Sequence, residues 1–374
     1  MSRQQTDAED IRLQEIAIIG AGCAGLSLAR RLCLQKIGPV RLYGPLSGAA
    51  TNGHSWGFWA TDGLDEQAGM AAQHWSKWQI ITPAQKITQT AEQHRYCRLD
   101  SRVWLNRCLD TINGLVERDA EGLPEPDHKL VFDSRPPEIP DGAMLQHFRG
   151  IEIEAKTPCF DPETAILMDF RCDQSRGIHF LYLLPYSRTE ALVESTMFSA
   201  EQQDEAFYDD SIAAYLDAYW PTGGYDIRHK EAGCIPMAFV RPGDPDYLAI
   251  GANGGCVRPS SGYAFCFIQK QTDAIATLLA AGRTALSPAS LPRPISRFDL
   301  FLDRVFLRVI RRRPELAPEL FSRISATLSG DEFARFMSGL ADFRTYAKLI
   351  TAMPTGPFVR ALWDSDQPET KRPA

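Results

Sequence analysis

The stretch Thr189–Ser199, TEALVESTMFS, sets one carboxylate into an otherwise uncharged alternation. At a two-residue period, Leu192, Glu194, Thr196 and Phe198 share one face, and Ala191, Val193, Ser195 and Met197 share the other. Such a strand is expected to be covered on both sides. A carboxyl there must find a partner or keep its proton, because an isolated buried charge is very costly. Kept protonated, Glu194 is a candidate general acid; the alternative is a carboxylate paired with an arginine in the sheet. Asp169, in LMDFR, is a second candidate, for tuning Glu194 or for proton transfer; its alternative is a surface pair with Arg171 on the same strand face. Trp56, Phe58 and Trp59 could line a pocket and stabilise a cation through their ring faces, or serve as core. His54, beside them, reads as a structural imidazole, and the other histidines show no cluster.

A second chemistry is written in glycines. Ile16–Ile19 reads as an apolar strand, Gly20, Gly22 and Gly25 form GxGxxG, and a helix follows with Leu26, Ala29, Leu32 and Cys33 inward. Val40–Tyr43 then closes a βαβ unit. In such a unit the first glycine allows the tight turn, the second admits a pyrophosphate, and the third lets helix and strand approach. The phosphate would rest on the amides at the helix N-terminus. The acid expected at the end of the second strand to hold a ribose is missing, since Gly44 and Pro45 stand there. Residues 249–265, AIGANGGCVRPSSGYAF, suggest a second glycine-rich junction at Gly251, Gly254 and Gly255. Two such junctions are what an extended FAD needs; the alternative for the second is an ordinary loop. Many flavin hydroxylases carry Gly-Asp at this point, whereas this chain has Gly251-Ala252.

The elements that must position these groups follow from pattern. From about Gln146 to Phe198, short alternating segments with tight links predict an antiparallel sheet and a substrate lobe. Residues 200–220 have helical spacing, and a helix is expected from about Gly262 to Ala281, with a mostly helical tail from Pro294. The division is 13–110 and 231–290 for the cofactor domain, 111–230 for the substrate domain, and 291–374 for the helical region. Residues 298–318 combine an apolar stripe (Phe301, Leu302, Val305, Phe306, Val309) with Arg304, Arg308, Arg311, Arg312 and Arg313. That helix either lies on an anionic membrane surface or packs with a solvated basic edge.

The 374 residues allow two domains or one large domain with an inserted lobe. A net charge of -7 argues against nucleic acid as a partner. No apolar run approaches the roughly 20 residues of a membrane span. The polar start, MSRQQTDAEDIRLQ, lacks a signal-peptide core and reads as a frayed tail; residues 119–130 read as a charged excursion. Nine scattered cysteines without CxxC look like reduced cytoplasmic thiols, and no metal site is expected.

Several segments together resemble the bacterial lycopene beta-cyclases. They are HSWGFW (54–59), VFDSRP (131–136), QHFRGIEIE (146–154), ILMDFR (166–171), FLYLLPYSRTEALVESTMFS (180–199), EAGCIPM (231–237) and IGANGGCVRPSSGYAF (250–265). The resemblance implies an α/β fold like that of the flavin hydroxylases, with a Rossmann-like FAD-binding domain interleaved with an antiparallel-sheet substrate domain and a helical C-terminal region. It implies Glu194 as proton donor, reduced FAD as cofactor, NAD(P)H as reductant, and lycopene or a related acyclic carotenoid as substrate. Ser195 stands where relatives often carry a second acid, which weakens a role for two adjacent carboxylates. A lipid-soluble substrate implies a cytoplasmic protein peripheral to the inner face of the cell membrane. The alternatives are a redox flavoprotein of this architecture, a hydroxylase or prenyl-chain reductase, or a non-catalytic polyene-binding relative.

Overall fold

A computed structural model describes residues 15–46, 53–119, 121–124, 130–240, 242–244 and 246–363. The polar N-terminal tail and much of the 119–130 excursion lie outside these. The first part runs β1 (Ile16–Ala21), α1 (Cys23–Leu34), β2 (Val40–Leu46), β3 (Ser55–Trp59), α2 (Asp65–Met70) and β4 (Gln73–Trp75). There follow β5 (Lys77–Ile81), β6 (Lys86–Thr90), β7 (Tyr96–Asp100), α3 (Ser101–Ile112), β8 (Glu117–Asp119) and β9 (Leu130–Asp133). The middle comprises β10 (Leu145–Ala155), β11 (Thr164–Asp169), β12 (Ile178–Pro185), β13 (Glu190–Ser199), α4 (Glu205–Tyr219), β14 (Tyr225–Pro236) and β15 (Leu248–Ala249). Helices α5 (Phe265–Ala280), α6 (Arg297–Arg312), α7 (Ala317–Thr327), α8 (Gly330–Met337), α9 (Phe343–Ala352) and α10 (Thr355–Trp363) complete the chain.

β1 is buried along nearly its whole length because it is central in a five-stranded parallel sheet, order β15-β9-β1-β2-β8, with its faces covered. Helix α1 lays Leu26, Leu28, Ala29 and Leu32 into this core, all fully buried. Its one buried hydroxyl, Ser27, ties three helices together: Trp104 Nε1 of α3 donates to Ser27 Oγ at 2.9 Å, and Gln269 Nε2 of α5 at 3.1 Å.

A seven-stranded sheet, order β14-β10-β13-β12-β11-β5-β6, forms the second layer. One face, including Leu192 and Phe198, packs toward α6, α7 and α8; the other, with Ala191 and Val193, packs under α4. The two-sided burial expected of β13 is thus present. The sheet is mixed rather than purely antiparallel, because β11 pairs with β5 in parallel.

The sequence division also misplaces several strands. β5 and β6, assigned to the cofactor domain, belong to the second sheet, and β8 and β9, assigned to the substrate domain, belong to the first; β14 crosses the 230/231 boundary. Alternation shows which face of a strand is apolar, but not which distant strand will pair with it. A short sheet, β3-β7-β4, stands between the layers.

The C-terminal helices are fastened to the second glycine junction by a buried cation. Arg258, 1% exposed, lies 3.3 Å from Asp303 and 3.6 Å from Asp299, and also bonds Phe336 O. Asp299 and Asp303 are themselves buried on α6. The basic stripe read from sequence is exposed at Arg304, Arg311, Arg312 and Arg313 and half-buried at Arg308, with several of its arginines held by contacts within the protein. Arg304 stacks over Phe239, Arg308 donates to Ala361 O and Arg311 to Gly142 O, while Val305, Phe306 and Val309 are core. No helix among the described residues is long and apolar enough to cross a membrane.

Removing one partner of a buried ion network leaves the other charge uncompensated, so Arg258→Met is expected to lower unfolding stability by about 3–5 kcal/mol. Urea unfolding of the variant measures this. A loss below about 1 kcal/mol would mean that hydroxyl donors alone satisfy the two aspartates.

Candidate active site

Glu194 sits mid-strand on the inner face of β13, 8% exposed. Directly across from it are Tyr182 on β12 and Gly150 on β10, and Gly150 in turn faces Glu231 on β14. The row Glu231–Gly150–Glu194–Tyr182 therefore crosses four strands. A Cβ at Gly150 would lie 2.6 Å from Glu194 Cγ, so the glycine vacates the space between the glutamates. With strands about 4.8 Å apart, the two glutamate backbones are separated by about 10 Å, within reach of two side chains leaning together.

Glu231 is the one buried residue in the 12-residue strand β14. Its Oε2 accepts the Ser55 N–H at 2.8 Å and lies 3.9 Å from His54 Nδ1. Its buried Oε1 meets no N–H or hydroxyl donor. Burial first, and the adjoining Glu231 second, push the Glu194 carboxyl well above the ordinary carboxylate range. Both effects favour the protonated form of Glu194. Among the described residues no Lys or Arg pairs with either carboxyl.

Three phenols continue the polar row. Tyr182 Oη lies 2.8 Å from Tyr96 Oη, which lies 3.1 Å from Tyr263 Oη. Burial pushes all three well above the ordinary phenol range, so they remain neutral. The Trp59 ring packs against Tyr96 at 4.8 Å and Tyr263 at 5.0 Å. A side chain at Gly57 would meet Tyr96 Oη at 2.0 Å, which explains the glycine between the tryptophans.

These groups face a cavity of about 920 Å³ with mostly apolar walls, from Ile80 and Phe180 on the sheet to Phe306 and Phe333 on the helices. Trp56 and Trp59 are among the residues that line it. Phe58 is not: strand alternation turns it away from Trp59, onto the Phe265 ring at 5.0 Å in the first core. Asp169 is not at the cavity either. It is fully buried rather than at the surface, forked by Arg171 at 2.6–3.2 Å and bonded by Tyr215 of α4 at 2.9 Å. An irregularity between Ile166 and Asp169 turns its carboxylate toward the helix that covers the outer face.

At its other end the cavity reaches Cys23 and residues 260–265, beside both glycine junctions. Gly22 is the N-cap of α1, with no side chain capping the helix, which leaves its first amides open to a phosphate. A Cβ at Gly25 would lie 1.9 Å from Gly20 O, and one at Gly251 would lie 2.5 Å from Ala24 Cβ. The two junctions are thus in contact, and Gly254 and Gly255 complete the second turn against Ala249 O. This arrangement fits an extended dinucleotide. Gly44 lies in a bulge of β2 with φ +100°, its backbone beside Gly20, and so offers no acid to a ribose.

Glu231, Gly150 and the three tyrosines were not singled out from sequence. The only available signal was the lone glycine interrupting the alternation FRGIEIE.

A parallel sheet with glycine turns, interleaved with a cavity-forming second sheet, is a fold like that of the flavin hydroxylases. An HpxO variant from Klebsiella pneumoniae complexed with FAD is similar in fold over 92% of this chain and 100% of its own, with TM-score 0.58 and 13% identity. The family described as Lycopene cyclase protein matches residues 15–120 and 120–362, and the chain belongs to that family. The lycopene beta-cyclase of Pantoea ananas is 23% identical over 93% of this chain and 97% of its own length. That of Paracoccus sp. is 29% identical over 58% of each chain.

A carboxyl that keeps its proton at neutral pH has an infrared signature. We expect a buried carboxylic C=O stretch at pH 7 in the wild type that the Glu194→Gln variant lacks, so that it stands out in the wild-type-minus-variant difference spectrum; a difference spectrum with only carboxylate bands would contradict this protonation.

Proposed function

We propose that the protein is a lycopene beta-cyclase, closing β-ionone rings at the acyclic ends of lycopene or a related carotenoid without net redox change. The observation that carries this reading is a buried carboxyl, Glu194, whose burial and whose neighbour Glu231 favour its protonated form, on the wall of an aromatic, apolar cavity that begins at the glycine junctions. Glu194 delivers its proton to the terminal alkene, giving a tertiary cation that a neighbouring double bond attacks. Loss of a ring proton then leaves the β-ring, so the product is an isomer of unchanged mass. The apolar walls exclude water, and the faces of Trp59, Tyr96 and Tyr263 lie where a cation can rest on them.

FAD would be held at Gly20, Gly22 and Gly25 and at Gly251, Gly254 and Gly255, and in its reduced form supplies an anionic ring that offsets developing positive charge. NAD(P)H serves only to keep it reduced. Asp169, tied to Arg171 and Tyr215, would hold α4 to the sheet rather than move a proton.

The cytoplasmic location, peripheral to the inner face of the membrane, follows from the lipid-soluble substrate of this reading, and the cavity mouth supports the contact with a lipid surface. Phe301, Ile350, Val359 and Leu362 line the cavity and are also exposed. Beside them stand Phe343, 84% exposed, and Trp363, 85% exposed. A lipid surface covering these side chains would let a polyene pass from bilayer to cavity without crossing water.

In a host accumulating lycopene, the wild type is expected to give cyclic isomers of unchanged mass, and chromatography would count the ends cyclised. Glu194→Gln should retain flavin and lose at least 100-fold in ring formation, the lower range for a lost general acid. Gly25→Val should lose flavin itself. Full cyclisation by Glu194→Gln would defeat the assignment, and carotenoid-dependent, stoichiometric NAD(P)H oxidation would replace it with a redox reaction. Replacing Phe301, Ile350, Leu362 and Trp363 by Ser should abolish co-sedimentation with anionic phospholipid vesicles; unchanged co-sedimentation would remove the docking surface.

A further inference from the structure

We infer that Glu231 is the second half of a proton-sharing carboxyl pair, a positioning residue that keeps the transferable proton on Glu194 and aimed into the cavity. For the reaction it serves, this rests on the cyclase reading; the pair itself does not.

Three independent features of the fold build the pair. The strand order places Glu231 and Glu194 on one face with β10 between them, and the intervening residue is the one whose side chain is absent, Gly150. Any larger residue would stand between the two carboxyls. Glu231 is buried on a strand otherwise open to solvent. Its Oε1 is left without an N–H or hydroxyl partner, and two carboxyl groups in contact can be joined only by a proton.

The surroundings say which carboxyl holds it. Glu231 Oε2 already accepts a backbone N–H from Ser55 at 2.8 Å, and His54 Nδ1 lies 3.9 Å from the same oxygen. Glu194 receives no such donor. It faces Tyr182 from β12, Tyr96 from β7 and Tyr263 from the segment before α5, all neutral phenols. The Tyr186 hydroxyl is taken by Glu152 at 2.9 Å, and the Arg98 guanidinium is committed to Glu152 at 2.5 Å and to Ser55 Oγ at 3.1 Å. The doubly ionised alternative, two carboxylates side by side, is the arrangement least tolerated without water. The pair therefore holds one proton, on Glu194. After donation it becomes two adjacent anions, a strong acceptor for the ring proton that must leave, and the proton count closes without an outside acid.

The test compares Glu231→Gln and Glu231→Asp with the wild-type holoprotein. Infrared titration of the buried C=O stretch reports the proton directly, without turnover; the pH profile of cyclisation reports its use. Gln removes the repelling charge and places an amide donor beside Glu194, so the ionised form of Glu194 is favoured. We expect the pH at which the band disappears to fall by about one unit or more, and the alkaline limb of activity to move down with it, at unchanged flavin content. Aspartate, which keeps the charge but retreats by a methylene, should move both in the same direction by less. A merely structural role predicts lower yield or stability with no movement of either pH dependence, and that result would overturn the pairing. Should Glu231→Gln not fold, Glu231→Asp carries the same test. If the wild type cyclises nothing but the band still shifts, the cyclase reading fails and the pair stands.

Discussion

A carboxyl in an apolar interior is among the most demanding groups a fold can carry, and most of this structure can be understood from how it accommodates Glu194. Water must be excluded on both faces of β13, so helix α4 covers one side and the C-terminal helices the other. Among the described residues no Lys or Arg neutralises the charge, so the group is held neutral instead. That requires a neighbour that repels a second charge, and space in which the two can meet. Both come from the register of β14 and β10 against β13, with a glycine at the crossing point. A slip of one residue would reverse every side chain and send Glu194 into the outer core beneath α4.

The interleaving of the two sheets serves the same end. Because the chain leaves the parallel sheet after β2, builds β3–β7, and returns for β8 and β9, the small sheet β3-β7-β4 is fixed between the layers. It brings Ser55, Trp59 and Tyr96 to the cavity, with Ser55 bonded to Glu231 and Tyr96 to Tyr182 of the large sheet. The second glycine junction then runs directly into Arg258, Ser260 and Tyr263, so one loop adjoins α1, bonds α6 and completes the phenol row. A displacement of α6 would be felt at both ends of the cavity through the buried Arg258–Asp303 pair.

What was legible in the sequence was local. The two-residue period around Glu194 gave its face and burial, and the strand–GxGxxG–helix order gave α1 and its neighbours, because both patterns are dictated by a single element. What was hidden was pairing. Glu231 lies on an edge strand whose exposed, charged alternation reads as solvated, and nothing local marks one of its acids as buried. Phe58 was assigned with Trp59, although adjacent strand residues point to opposite faces. Asp169 follows an irregularity that no period predicts, and β5, β6, β8 and β9 were placed by sequence proximity when their partners are distant.

A carboxyl that holds its proton at neutral pH is also a weak acid, so burial alone does not explain how it would protonate an alkene. The remaining driving force has to come from what meets the cation. Water would solvate it best but would also quench it, and charged groups would pair with Glu194 and remove its proton. Neutral ring faces do neither: they stabilise positive charge through their quadrupoles while leaving the carboxyl protonated. The phenols Tyr96, Tyr182 and Tyr263 bond to one another, so each hydroxyl has a partner without calling on Glu194. The separation of a carboxyl pair on one wall from an aromatic floor beside it is therefore the arrangement in which proton retention and cation stabilisation do not compete.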